Sequence, residues 1–141
     1  MDAHALDVLE FPAIVERVAG LAATAHGESL AHALAPSSDA DEVARRQALT
    51  AEGIALLDVS AEPSLGGISD VRDAADHAAR DGVLGPGDLR AIAVSVTVGL
   101  DGVRALDEVA ETAPLLNDIV APIDPTLGEL AAEITRCVED D

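Results

Sequence analysis

The chain has 141 residues, of which 49% are hydrophobic but only 1% aromatic, so its core must be built from Ala, Leu, Val and Ile. Its formal net charge is -19, from 27 acidic residues against 8 basic ones, all of them arginine. This charge repels phosphate backbones and argues against autonomous nucleic-acid binding, and the absence of lysine excludes a P-loop lysine, a Schiff-base lysine and a lysine general base.

Apolar residues recur at helical spacing along most of the chain, and no run alternates with a period of two, which predicts an all-α fold. A first helix follows Pro12, and Gly27 separates it from a short second helix that Pro36 ends. Asp39, with Glu42 three residues later, resembles a capping box and begins a third helix. The apolar face of the first helix comprises Ile14, Val15, Val18, Leu21, Ala22 and Ala25.

The middle of the chain predicts two more helices. One runs from about residue 70 to residue 80 and ends before Gly82, and the next starts at Gly85-Pro86 and is the longest. Gly99 and Gly102 lie inside the longest helix, where each costs about 1 kcal/mol relative to Ala. We therefore expect either close packing against a neighbour or a local bend there. The apolar stripe of this helix comprises Leu89, Ile92, Val96, Leu100, Val103 and Leu106.

Two helices are predicted in the last third. Pro114 begins a short one, and Asp124-Pro125 caps the final one. Cys137 falls on the apolar face of the final helix, which predicts that this lone thiol is buried. The expected architecture is a bundle of about six to seven helices in a single domain over residues 1–141. Because an apolar stripe runs to the end of the chain, we expect a fragment of a longer protein.

The stretch PSLGGISDVRDA, residues 63–74, is the most distinctive in the chain. Two adjacent glycines, Gly66 and Gly67, follow a proline and precede a predicted helix, which is compatible with a phosphate cradle, a hinge or a tight turn. Phosphate fingerprints need a preceding strand and further glycines or a lysine at fixed spacing, and this stretch has neither. The favoured interpretation is a turn between helices that requires a positive φ.

Few other residues suggest chemistry. Asp73 and His77 are spaced i, i+4, which can chelate a metal, but a solvated face in which Asp73 pairs with His77 is the favoured interpretation. On the same face Asp76 is expected to pair with Arg80. The serines at 37, 38 and 69 are explained better as helix caps than as nucleophiles. The residues alone therefore predict no catalytic, cofactor-binding or metal-binding group.

Several segments together resemble the N-terminal region of the second bacterial MutS family, the endonucleases known as MutS-two. The opening LDVLEFPAIVERVAGLAATAHGESLAHALAPSSD is similar to the start of that family, and GVLGPGDL and EITRCVEDD also follow its pattern. The most recognisable signature lies within EPSLGGISDVRDA and is carried by Leu65, Gly66, Gly67, Ile68, Asp70, Val71 and Arg72. The resemblance covers essentially the whole chain.

The resemblance implies a much longer parent protein, in which a helical core and lever lead to a MutS-type ATPase and usually to a C-terminal Smr nuclease. Such proteins use ATP and Mg²⁺, lack the mismatch-reading domain, and suppress recombination on branched DNA or act on collided ribosomes. This chain lacks the lever, the ATPase and the nuclease, so no cofactor is expected in it. DNA or a ribosome would be reached only through the full-length protein.

Three hypotheses follow for the chain itself. The leading one is a non-catalytic scaffold in the cytoplasm, whose partner is the rest of its own parent chain and in which the seven signature residues form a structural corner. The second is an independent interaction module that pairs into a homodimer through exposed apolar faces on the longest and final helices. The third is a small enzyme or metal-binding bundle that uses Asp73 and His77. No apolar run reaches the ~18 residues needed to span a bilayer, so no membrane partner is expected.

Overall fold

A computed structural model describes residues 3–59 and 63–139. These residues form eight α-helices and no strand, which confirms the predicted all-α fold. The helices are α1 (Ala3–Val8), α2 (Phe11–Ala19), α3 (Ala25–His32), α4 (Ala40–Asp58), α5 (Arg72–Ala78), α6 (Pro86–Asp107), α7 (Pro114–Val120) and α8 (Leu127–Glu139). None of these described helices combines the length and apolarity that a bilayer-spanning segment needs. The chain divides into two compact units, Met1–Thr50 and Ala51–Asp141.

The first unit is held together mainly by the packing of α2 against α3. Each helix contributes one buried alanine, Ala19 at 5% exposure and Ala31 at 6%. Thr24 caps α3, because its hydroxyl oxygen accepts the backbone N–H of Gly27 at 3.0 Å. Gly27 therefore lies inside α3, and the break between the helices falls earlier than predicted, at residues 20–24. A threonine N-cap is a stronger local signal for a helix start than the glycine at position 27 is for a helix break.

The second unit is built around the pair α6 and α8. Ala93 of α6 and Ala131 of α8 are each only 3% exposed. A separate cluster consists of three buried residues: Leu56, Leu106 and Ala113. Three half-buried residues pack against that cluster: Val109, Leu116 and Val120.

The start signals in the sequence place most helices correctly. Helices α6 and α7 begin at the prolines that predicted them. A carboxylate oxygen of Asp39 accepts the backbone N–H groups of Asp41 at 2.9 Å and Glu42 at 3.0 Å, so it caps α4. Glu42 does not complete a capping box in the described contacts; its carboxylate instead accepts from Arg46 at 2.6 Å. The Glu42 carboxylate thus forms an ion pair with a residue on the next turn of the helix and does not contribute to the cap.

Helix α5 is shorter than predicted and ends at Ala78. The residue in the left-handed conformation after it is Asp81, with φ 61°, rather than Gly82. The N–H of Gly82 returns to the carbonyl oxygen of His77 at 3.0 Å. A Cβ at Gly82 would overlap the His77 ring in its present position, so a larger residue there would require that ring to move.

Small side chains dominate the buried positions. Of the seven hydrophobic residues that are buried in the described part of the chain, five are alanine. Larger apolar side chains remain exposed to solvent, for example Val83 at 91% exposure and Leu21 at 84%.

The prediction that Cys137 is buried is wrong, since its side chain is exposed. At 100° per residue it lies about 120° around α8 from the buried Ala131, at the margin of the packed face.

Candidate functional site

The two adjacent glycines form a tight turn. The N–H of Ile68 donates to the carbonyl oxygen of Leu65 at 3.3 Å. Gly67 has a φ of 100°, in the region that L side chains rarely adopt, so the turn with a positive φ lies where the sequence predicted one. A Cβ at Gly67 would come within 3.4 Å of Val94 Cγ1, which is close to ordinary contact. The backbone conformation, more than the lack of space, is what favours glycine here.

The segment that contains this turn runs along α6. The N–H of Ser69 donates to the hydroxyl oxygen of Ser95 at 2.9 Å. Ser69 does not cap α5 as the sequence suggested, because the N-cap residue of that helix is Val71. Further along α6, a Cβ at the buried Gly102 would lie 3.6 Å from Leu65 Cδ2 and 3.8 Å from Pro63 Cβ. Close packing, one of the two outcomes expected for the α6 glycines, therefore occurs at Gly102. At Gly99 a Cβ would meet nothing within 4 Å.

The second half of the signature begins α5. Asp70 binds the Arg72 guanidinium through both carboxylate oxygens, at 2.9 Å from Nε and 2.5 Å from Nη2. The same carboxylate accepts the backbone N–H of Arg72 at 3.2 Å. Hydrogen bonding and the charge of Asp70 raise the pKa of the guanidinium above its ordinary value. Val71, the residue between Asp70 and Arg72 in the sequence, is half-buried. These contacts orient the start of a helix, and they present no nucleophile or proton donor to a substrate.

The geometry does not fit a nucleotide phosphate or a metal ion. Four residues separate Gly67 from α5, so the turn does not lie at a helix N-terminus, and the sequence contains no lysine. Among residues 3–59 and 63–139, no group of three or more His, Cys, Asp or Glu side chains could hold a metal. His77 lies against Gly82, and in this described part of the chain it makes no ion pair with Asp73. Asp76 and Arg80 do approach each other, at 3.6 Å.

A long-range helix cap was not predicted from the sequence. Glu52 of α4 accepts the backbone N–H of Leu115 at 3.1 Å through one carboxylate oxygen and that of Leu116 at 2.9 Å through the other. These are the N–H groups at the start of α7, which have no partner within their own helix. The negative carboxylate also complements the positive end of the helix dipole. No local signal could have revealed this contact, because 63 residues separate Glu52 from Leu115.

The arginines divide into two classes. Six of the eight pair with a carboxylate two to four residues earlier in the sequence: Arg45 and Arg46 with Glu42, Arg72 with Asp70, Arg80 with Asp76, Arg104 with Asp101, and Arg136 with Glu133. Arg17 and Arg90 make no such pair among the described residues. Both have only apolar or small neighbours at i±3 and i±4, a pattern that can be read directly from the sequence.

The fold and its contacts define an all-helical segment in which the conspicuous polar groups begin helices, fix turns or pair locally. No protein-family model matches the chain, and no solved structure matches it.

Curated relatives do match, and all those named here are called endonuclease MutS2. The protein from Symbiobacterium thermophilum is 36% identical over 140 residues, which cover 99% of this chain and 17% of that protein. The protein from Acetivibrio thermocellus is 34% identical over 89 residues, covering 63% of this chain and 11% of the relative. That from Bacillus cereus is 29% identical over 138 residues, covering 96% and 17%. Over nearly its whole length the chain is thus similar to one segment of the MutS2 endonucleases, and it spans about a sixth of the length of these relatives.

Proposed function

We propose that the chain is a non-catalytic helical scaffold segment of a MutS2-type protein. The observation that carries the proposal is that 99% of this chain matches only 17% of the Symbiobacterium thermophilum endonuclease MutS2. The segment therefore corresponds to one part of a much longer protein. Its own contacts support a structural role, because the Gly67 turn, the pair Asp70–Arg72 and the Glu52 cap all fix the directions of helices. ATP and Mg²⁺ belong to other parts of the parent.

In this proposal the signature residues Leu65, Gly66, Gly67, Ile68, Asp70, Val71 and Arg72 form a corner that fixes the path of the chain from α4 across α6 to α5. A rigid helical body of this kind would hold the lever, so that changes driven by ATP at one end of the parent protein move the parts that contact DNA or a ribosome at the other. The parent would act in the cytoplasm on branched DNA, where it suppresses recombination and so serves DNA repair, or on stalled ribosomes.

A chimera tests the scaffold role. The 140 matched residues of the Symbiobacterium thermophilum protein are replaced by this chain, and the nuclease and ATPase rates are compared with those of the parent and of a version in which the matched residues are deleted. We expect the chimera to keep both rates, and the deletion to lose the dependence of ATPase on DNA or ribosomes while basal ATP hydrolysis remains. The isolated 141-residue chain should show neither activity. Cleavage or hydrolysis by the isolated chain would contradict a purely structural role.

A homodimeric interaction module is the second candidate, and one observation favours it. The α2 helix leaves one side of its apolar stripe open, with Ile14 at 53% and Val18 at 42% exposure. Apolar surface of this kind often marks a contact with another protein. Sedimentation equilibrium over a wide concentration range tests this candidate, which requires a dimer that Ile14→Ser dissociates.

A further inference from the structure

A small pocket lies between α6 and α8 in the second unit. It has a volume of about 190 Å³ and is lined by Arg90, Ala93, Val94, Thr135 and Val138. Val94 is 42% exposed, and the Thr135 hydroxyl is turned back to the carbonyl oxygen of Ala131 at 2.8 Å. The walls are therefore mainly apolar, and Arg90 is the charged residue of the lining. A pocket of this size accommodates one branched apolar side chain.

Arg90 is chemically unusual in this chain. The sequence has 27 acidic residues for 8 arginines, yet Arg90 has no carboxylate partner among the described residues. The nearest acidic residue along α6, Asp88, is used at the helix start, where it accepts the N–H of Gly85 at 3.3 Å. At i±3 and i±4 Arg90 has Pro86, Gly87, Ala93 and Val94, none of which can pair with it. Among the described residues no carboxylate takes up any of the five N–H donors of this guanidinium, so a carboxylate ligand would complement it.

We propose that this pocket is the docking site for an amphipathic helix that inserts an apolar side chain between α6 and α8 and places a carboxylate on Arg90. The proposal rests on the scaffold function, because the helix comes from the part of the parent protein outside these 141 residues. It identifies the surface through which the scaffold holds the rest of its parent.

Charge and chain connectivity favour a helix from the same chain over a separate molecule. A net charge of -19 repels a second copy, and any other acidic partner, at long range. A covalently attached helix avoids this penalty, since its effective concentration is set by the linker. Val138 lines the pocket one residue before α8 ends at Glu139, so the last turn of α8 borders the pocket.

A peptide titration of the 141-residue chain tests the proposal. The probe is an acetylated and amidated Ala/Gln-rich helix with one Leu and, four residues away, one Glu; the matched probe has Gln in place of Glu. The side-chain Nε–H signals of the arginines are followed by ¹⁵N NMR, with both probes at the same ionic strength. We expect the Glu probe to shift the Arg90 signal and to bind about three- to five-fold more tightly than the Gln probe. Arg90→Gln should remove that difference, and Arg136→Gln, which changes an arginine already paired with Glu133, should preserve it.

Five results would overturn the proposal. The Arg90 signal does not respond to the Glu probe; both probes bind equally; the response follows Arg17 instead; or Arg90→Gln abolishes a concentration-dependent dimer, which would put a second copy in the pocket. A shift of the Arg90 signal in Asp140→Asn/Asp141→Asn without any peptide would also overturn it, because the chain's own terminal carboxylates would then be the occupants. None of these results affects the chimera experiment, so the pocket can fail while the scaffold function stands.

Discussion

The cap that Glu52 places on α7 makes a quantitative prediction about stability. Its half-buried carboxylate accepts two backbone N–H groups, at 3.1 and 2.9 Å. A hydrogen bond to a charged acceptor contributes about 1.5–3 kcal/mol when buried, and loss of a helix cap costs about 0.5–2 kcal/mol. Because water can reach the freed N–H groups in part, we expect Glu52→Ala to cost about 2 kcal/mol in total. Glu52→Gln keeps one acceptor and should cost about 1 kcal/mol.

Urea unfolding followed by far-UV circular dichroism measures this effect. With a slope of about 1–3 kcal/mol per molar urea, the Glu52→Ala midpoint should fall by about 1 M. Glu52→Asp keeps the charge but shortens the reach by one methylene, so it should be nearly as harmful as alanine. The matched control is Glu111→Gln, which removes an exposed carboxylate from a turn. If Glu52→Gln and Glu52→Asp both unfold at the same midpoint as the control, the cap does not stabilise α7.

Three further predictions concern backbone, space and charge. Gly67→Ala should cost about 1–2 kcal/mol because of its φ of 100°, whereas Gly66→Ala should be nearly neutral; equal urea midpoints for the two variants would contradict the strained turn. Gly99→Ala should raise the free energy of unfolding by roughly 0.5–1 kcal/mol, since a Cβ there meets nothing within 4 Å, and a lowered midpoint would show that this site is packed. The hydrogen bond from Arg46 lowers the pKa of Glu42, so this contact stabilises the fold above the ordinary pKa of a glutamate and is lost as the pH falls through the lowered pKa. In Arg46→Gln a ¹³C NMR titration should place the pKa of Glu42 nearer its ordinary value, and an unchanged pKa would mean that Arg46 is not the cause.

Helix starts could be predicted from the sequence because their signals are local. Pro86, Pro114 and Asp39 each act within one turn, and the structure uses all three as expected. Helix ends were less well predicted. After α5 it is Asp81 that adopts the left-handed conformation. The sequence does not indicate this, because the adjacent Gly82 is the residue expected to adopt it.

The contacts between distant residues could not be predicted, because periodicity gives the apolar side of a helix without its partner. Cys137 illustrates this: it belongs to the apolar side of α8, yet lies outside the strip that packing covers. Glu52 is a second case, since its partner helix is far away in the sequence. The lack of an acidic residue three or four positions from Arg90 on either side, by contrast, can be read from the sequence.

The alanine-rich interior has a consequence for the temperature dependence of folding. Five of the seven buried hydrophobic residues in the described part of the chain are alanine, so unfolding newly exposes little apolar surface for each residue. The heat-capacity increment of unfolding should then fall below the usual value of about 12–15 cal/mol/K per residue. A smaller increment gives a flatter stability curve, so the segment would change little in stability between cold and warm conditions and would melt over a broad range.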